Sequence, residues 1–173
     1  MTKKKYVGKL VSIKYTDRPT PICGFVIDYN DDWTLLKYNL VDYVIDGFII
    51  LRHKKIEGFR REAEEKFKEK VIILKGQHLA DITDFPLTDL GTILSNLTKK
   101  YGVFKFNLKT EKACYLGSLK TLTKARLTID YLNPKGIWTK EMQFRPNDIR
   151  TIEFDTDYIN SLKLFSNKKN IKK

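Results

Sequence analysis

Apolar residues in this chain come mostly in short runs with alternating polar breaks, the rhythm of half-buried strands rather than of long helices. Between residues 6 and 59 the runs are "YVGKLVSIKY", "TPICGFVIDY", "WTLLKY", "YVIDGFIILR" and "KIEGF". They are rich in β-branched and aromatic residues. Turn formers break them at Asp17-Arg18-Pro19, Asn30-Asp31-Asp32 and Asn39, which predicts five strands. The pattern recurs further on as "VFKFNLK", "ACYLGSLKTL", "ARLTIDYL", "GIWTKEMQFR" and "DIRTIEF". Its turns are expected around Thr110-Glu111-Lys112, at Thr123-Lys124 and at Asn133-Pro134-Lys135-Gly136, where Pro second and Gly fourth suit a type I turn. Helical spacing appears between the two sets. Phe59, Ala63, Phe67 and Val71 make a narrow apolar stripe, with Glu62–Lys66 and Glu64–Lys68 as i,i+4 pairs. "VIILKG" reads as a short strand. Leu90, Ile93, Leu94, Leu97 and Tyr101 predict a helix that Gly102 stops. "DTDYINSLKLF" predicts a short helix, and "SNKKNIKK" a disordered basic tail.

The two sets of strands superpose when the sequence slides against itself by 93 residues without gaps. Leu10, Val11, Ile13 and Tyr15 then fall on Val103, Phe104, Phe106 and Leu108, and Gly24 falls on Gly117. Leu36 meets Ile129, Tyr38 meets Tyr131, Leu51-Arg52 meets Phe144-Arg145, and Ile56 meets Ile149. Identities are few, so the weight lies in one offset held through five strands. Five short strands in so short a segment suit a small, strongly bent barrel, whose closure removes exposed edges. A mid-strand glycine, here Gly24 and again Gly117, marks the kind of bend such a barrel needs. The expected fold is mainly β with short helices: two tandem five-stranded small barrels, residues 1–56 and 86–155, the second including its leading helix. A helical linker, 57–85, joins them, and 156–173 holds the last helix and tail.

Five strands with a glycine in the second and an arginine ending the fourth resemble the Sm-like family of RNA-binding barrels. That family's first signature runs glycine, an apolar residue two on, an aromatic five on, Asp six on and Asn ten on. Gly24, Val26 and Tyr29 match, whereas Asn30 and Thr34 stand where Asp and Asn belong; in the second copy Gly117 and Leu119 match. The second signature, an apolar residue, Arg-Gly, two residues and Ile or Val, resembles "LRHKKI" (Leu51 to Ile56) and "FRPNDI" (Phe144 to Ile149). His53 and Pro146 replace its glycine. SH3-like barrels share the strand count and remain the other reading. The Sm-like resemblance implies RNA contacts at the loops after strands two and four, hence at Arg52 and Arg145. Trp33 and Thr34 lie in the first signature's contact region, and the missing Asn argues against uridine-type recognition. Family members also pair barrel edges into rings, and the oligomeric state of this chain stays open.

Charge sharpens this expectation. Lys and Arg number 33 against 21 Asp and Glu, a formal charge of +12. The excess falls on residues 1–56, 86–155 and 156–173, while 57–85 holds six cations against seven acids. A basic surface favours polyanions, because neutralised phosphates release condensed counterions. The leading patch is Arg52-His53-Lys54-Lys55 near Trp33, Thr34 and Tyr29, where arginine and aromatics can stack on bases while lysines meet phosphates. Arg145, Lys124 and Arg126 form the corresponding patch, weakened by Asp148 at the place of Lys55. Lys3-Lys4-Lys5 and the tail lysines Lys168, Lys169, Lys172 and Lys173 could add phosphate contacts, and Asp28, Asp31 and Asp32 oppose them near Trp33.

Other chemistry has little footing. Cys23 and Cys114, each in an apolar strand, read as buried free thiols. With His53 and His78 they lack zinc-ligand spacing, so no metal or cofactor is expected. No Gly-rich phosphate loop, nucleophile elbow or metal-binding histidine motif is present, so no enzyme is expected. No apolar run reaches the length of a membrane helix, and the N-terminus lacks a signal-peptide core, which reads as a cytoplasmic protein. The sequence reading is thus a non-catalytic nucleic-acid-binding protein with RNA preferred. The alternative is a protein-interaction module using barrel edges and a groove of Trp33, Tyr29, Tyr38 and Tyr43.

Overall fold

A computed structural model of the chain describes residues 3–77, 84–109 and 113–171. The turn expected at 110–112, His78, and Lys172 and Lys173 lie outside the described residues. The chain divides into two compact units, Met1–Leu87 and Thr88–Lys173. Both are built chiefly from antiparallel strands with short helices.

In the first unit the five expected strands form: β1 (Leu10–Tyr15), β2 (Ile22–Tyr29), β3 (Trp33–Val41), β4 (Val44–Arg52) and β5 (Ile56–Arg60). Their sheet order is β5-β1-β2-β3-β4, all antiparallel. β5 and β4 stand at opposite ends of that order, so within the unit the ladders describe an open sheet. Period-two alternation sends Val11, Ile13 and Tyr15 to one face, where they pack with Val26, Leu36 and Ile49. Leu10 turns to the other face and packs with Phe25 and with Ile72 of the helix α1 (Ala63–Leu74). β1 is therefore buried on both sides, between the core and α1.

α1 departs from expectation in two ways. The predicted stripe of Ala63 and Phe67 lies outward, with Phe67 58% exposed, and the buried positions are Glu65 and Ile72. The reason is electrostatic. The Glu65 carboxylate accepts hydrogen bonds from the Ser12 hydroxyl at 2.7 Å, from Arg60 Nε at 2.9 Å and from the Glu62 amide at 2.8 Å. Such charge-assisted bonds make burial of this face preferable to burial of a phenylalanine. The expected short strand at "VIILKG" is instead the end of α1, which stops at Leu74, with Lys75 as its cap and Gly76 turning the chain at φ +70°.

In the second unit α2 (Leu90–Tyr101) forms as its apolar spacing predicts, burying Ile93, Leu94 and Leu97. Asp89 caps it by accepting from the Thr92 amide at 3.1 Å, and Gly102 stops it at φ +79°. The strands are β6 (Phe104–Asn107), β7 (Cys114–Leu122), β8 (Leu127–Leu132), β9 (Trp138–Phe144) and β10 (Thr151–Phe154). Their order is β10-β6-β7-β8-β9, again an open antiparallel sheet within the unit. The last helix, α3 (Asp157–Ile171), runs further than expected: the segment read as a disordered tail is helical through Ile171, and Ser166 is buried. Ile159 anchors α3 on Val103, Leu116 and Leu132.

Gly24 pairs with Tyr38 and Gly117 with Tyr131, each in the second strand of its sheet. A Cβ on Gly24 would meet the Lys37 carbonyl oxygen at 2.5 Å, and one on Gly117 the Asp130 carbonyl oxygen at 2.1 Å. Both contacts are below any real Cβ approach, so each glycine is required by the closeness of the neighbouring strand rather than by its own dihedrals. Cys23 is half-buried, and burial pushes its thiol pKa up. Cys114, expected to be buried, is exposed, because it opens β7 before the strand enters the core.

Candidate nucleic-acid interface

The leading patch of the first unit is assembled where β3 begins and β4 ends. Antiparallel register sets Trp33 opposite Arg52, and the guanidinium carbon lies 5.4 Å from the centre of the indole ring, a cation–π distance. Trp33 is only 3% exposed. It therefore serves as the floor beneath Arg52 and not as a stacking platform, which corrects the expected role. The end of β4 is tied down by the Tyr15 hydroxyl, which donates to the Arg52 carbonyl at 2.7 Å.

Thr34 and His53, both expected to touch nucleic acid, are turned to bracing. His53 Nδ1 lies 2.6 Å from the Asp31 carbonyl oxygen, and Nε2 lies 2.8 Å from the Thr34 hydroxyl. A carbonyl can only accept, so Nδ1 carries a proton, and in the neutral ring Nε2 accepts from the buried Thr34 hydroxyl. Both ring nitrogens are thereby used. The β2–β3 turn is closed by Asn30, whose Oδ1 accepts from the amides of Asp32 at 2.9 Å and Trp33 at 2.7 Å. Asn30 Nδ2 in turn donates to the Leu87 carbonyl. Asn30 thus has a structural use that is invisible in the sequence, because Leu87 is 57 residues away. Beyond His53 the chain turns outward, presenting Lys54 and Lys55 to solvent, Lys55 at φ +76°. The side chains of Asp31 and Asp32 are exposed on the neighbouring turn.

The second unit builds its patch at the matching end of its sheet. Lys124 lies in the expected turn, and Arg126, expected in the strand that follows, lies in the same β7–β8 turn, because the Thr123 amide bonds the Arg126 carbonyl at 2.8 Å. Thr123 Oγ1 accepts from the Arg126 amide at 3.0 Å. Leu127 and Phe144 are cross-strand partners, so Arg126 and Arg145, next outward on each strand, flank the same sheet end. Lys124, Arg126 and Arg145 are all exposed. Asp148, expected to weaken this patch, is engaged by Lys109 at 2.9 Å. A groove of about 500 Å³ runs from Arg126 across β7, β8 and β9, past Thr121, Thr128 and Gln143. Sequence reasoning missed it, since its residues come from three strands and share no motif.

The aromatic groove expected for a protein partner does not form. Tyr29 and Tyr38 pack against the core with Trp33 buried nearby, and Tyr43 meets Phe67 edge-on, ring centres 6.2 Å apart. Among the described residues no group of three His, Cys, Asp or Glu could hold a metal ion. No known protein family, curated protein or solved structure matches this chain.

Proposed function

We propose that this chain is a non-catalytic nucleic-acid-binding protein, with RNA as its preferred ligand, made of two repeats of one small Sm-like or SH3-like barrel plan. The repeat is supported by the shared strand order and by the two glycines held against the same neighbouring strand at an offset of 93. The observation that carries the function is that each sheet gathers cations at the corresponding end, beyond β4 in the first unit and beyond β9 in the second. Lys14, Lys105, Lys109 and Lys120 each pair with a carboxylate. Lys54, Lys55, Lys124, Arg126 and Arg145 form no ion pair among the described residues. Together with Arg52 they lie where β4 and β9 end. Cations held apart from carboxylates keep their field for a polyanion. Arg52 over its buried indole is the one positioned to stack on an unpaired base, with lysines on phosphates.

Fluorescence anisotropy of a labelled single-stranded RNA tests the reading. The Arg52→Ala/Arg145→Ala double variant is expected to bind about tenfold more weakly than the natural chain at the same salt. Equal affinity of the two proteins would overturn the assigned contacts, and no binding at low salt would overturn the function. A second reading, an interaction module for another protein, is favoured by one observation. Leu40, Val41, Val44, Phe67 and Leu74 of the first unit expose apolar surface, Leu74 to 87%, and a cluster of that kind marks interaction surfaces.

A further inference from the structure

The groove on the second unit has a chemical character of its own. Register places Thr121 opposite Thr128, and Thr128 opposite Gln143, so three polar side chains form one row across β7, β8 and β9. None of the three side chains has a hydrogen-bond partner among the described residues, although Thr128 is 95% shielded from solvent as a residue. At one end stands Arg126, without an ion-pair partner. At the other, Lys120 is held by Glu141 and lies 3.9 Å from Asp130, so its charge is cancelled locally. The volume of about 500 Å³ falls within the range of small-ligand sites. No aromatic side chain lines it.

A ligand that fits offers one anionic group to Arg126 and, beside it, hydrogen-bonding groups for the row, which a hydroxyl meets as donor or acceptor. We propose that this groove holds the sugar–phosphate backbone of single-stranded RNA, with a phosphate on Arg126 and ribose 2′-hydroxyls on the Thr121–Thr128–Gln143 row. The site thereby distinguishes RNA from DNA. A hydroxyl ligand answers the row because threonine hydroxyls and a glutamine amide each donate and accept, and the 2′-hydroxyl is the group by which a protein tells RNA from DNA. The inference rests on the nucleic-acid reading above and assigns the part of the molecule that makes RNA the preferred ligand.

The full-length chain is titrated with labelled oligouridine and oligodeoxyuridine of about 12 nucleotides, probes that differ only in the 2′-hydroxyl. The natural protein is expected to bind the ribo-oligomer about tenfold more tightly. Thr121→Val/Thr128→Val, which keeps shape and strand propensity, is expected to lower ribo-oligomer affinity to the deoxy value. Its deoxy-oligomer affinity should change by less than about twofold, which also shows that the variant is folded. Gln143→Leu, at an exposed strand position, is expected to lose about threefold on the ribo-oligomer alone. Equal binding of the two oligomers by the natural protein, or a preference that survives both variants, overturns the groove assignment while leaving nucleic-acid binding intact. If neither oligomer binds at low salt, the nucleic-acid reading fails and the groove assignment with it.

Discussion

Glu65 shows how a single charged residue can decide which way a helix faces. Burial would raise its pKa, but the hydrogen bonds it accepts from the Glu62 amide, the Ser12 hydroxyl, its own backbone amide and Arg60 prevail. They lower it from 4.5 to about 2. A carboxylate held low in the folded state contributes stability that is present above its unfolded pKa and lost as pH falls towards the folded value. That span corresponds to about 3 kcal/mol. Glu65→Gln is accordingly expected to destabilise the first unit by about 2–3 kcal/mol at pH 7. The gap between variant and natural chain should close as pH falls from about 5 to about 2, as read by urea denaturation at each pH. A constant gap across that window would show that Glu65 contributes through packing alone. Leu10 makes a related point. It lies beyond the reach of β5, and its outward amide and carbonyl are taken by Glu69 at 2.7 Å and Arg61 at 3.0 Å, which themselves pair at 2.8 Å. An ion pair thus completes the strand edge where a neighbouring strand stops.

At the scale of elements, the strands and α2 were legible because their side-chain periods match their burial. β1 alternates, and α2 carries Ile93, Leu94 and Leu97 on one face with Asp89 and Gly102 as its caps. The apolar spacing points α1 the wrong way, because charge-assisted hydrogen bonds to Ser12, Arg60 and Leu10 govern its facing. The correction has a direct test by thermal and chemical denaturation. Ile72→Ala is expected to cost about 2–5 kcal/mol as a buried aliphatic deletion, and Phe67→Ser to stay within about 0.5 kcal/mol as a surface change. The reverse ranking would restore the aromatic stripe as the buried face. "SNKKN" lacks the apolar residues that would signal a continuing α3. The helix continues because Ile159 and Ser166 are buried in its unit, and packing outweighs weak propensity there.

For the whole molecule the charge of +12 overstates what a polyanion meets, since several lysines and arginines are spent on carboxylates within each unit. RNA affinity should fall with salt at about 0.7 log units per decade for each phosphate neutralised on a single strand. An anisotropy salt series on the natural chain is expected to give a slope of about 3 to 4, as five or six cations of the two patches meet phosphates. A slope near zero would show that affinity does not come from phosphates. A slope approaching that of the full formal charge would move the interface to the lysine-rich termini.

By itself the sequence determined where the strands of the two sets lie, the offset of 93 between them and the pair of glycines. These follow from local periodicity and from steric demands that one residue type meets. Only the tertiary structure decided that Trp33 lies under Arg52, that Thr34 and His53 brace each other, and that Thr121, Thr128 and Gln143 share a row. Those relations depend on register between strands and on which hydrogen bonds are available once the strands have met. Burial likewise turned Glu65 inward and left Phe67 outside, because a carboxylate's environment is set by donors brought from elsewhere in the chain.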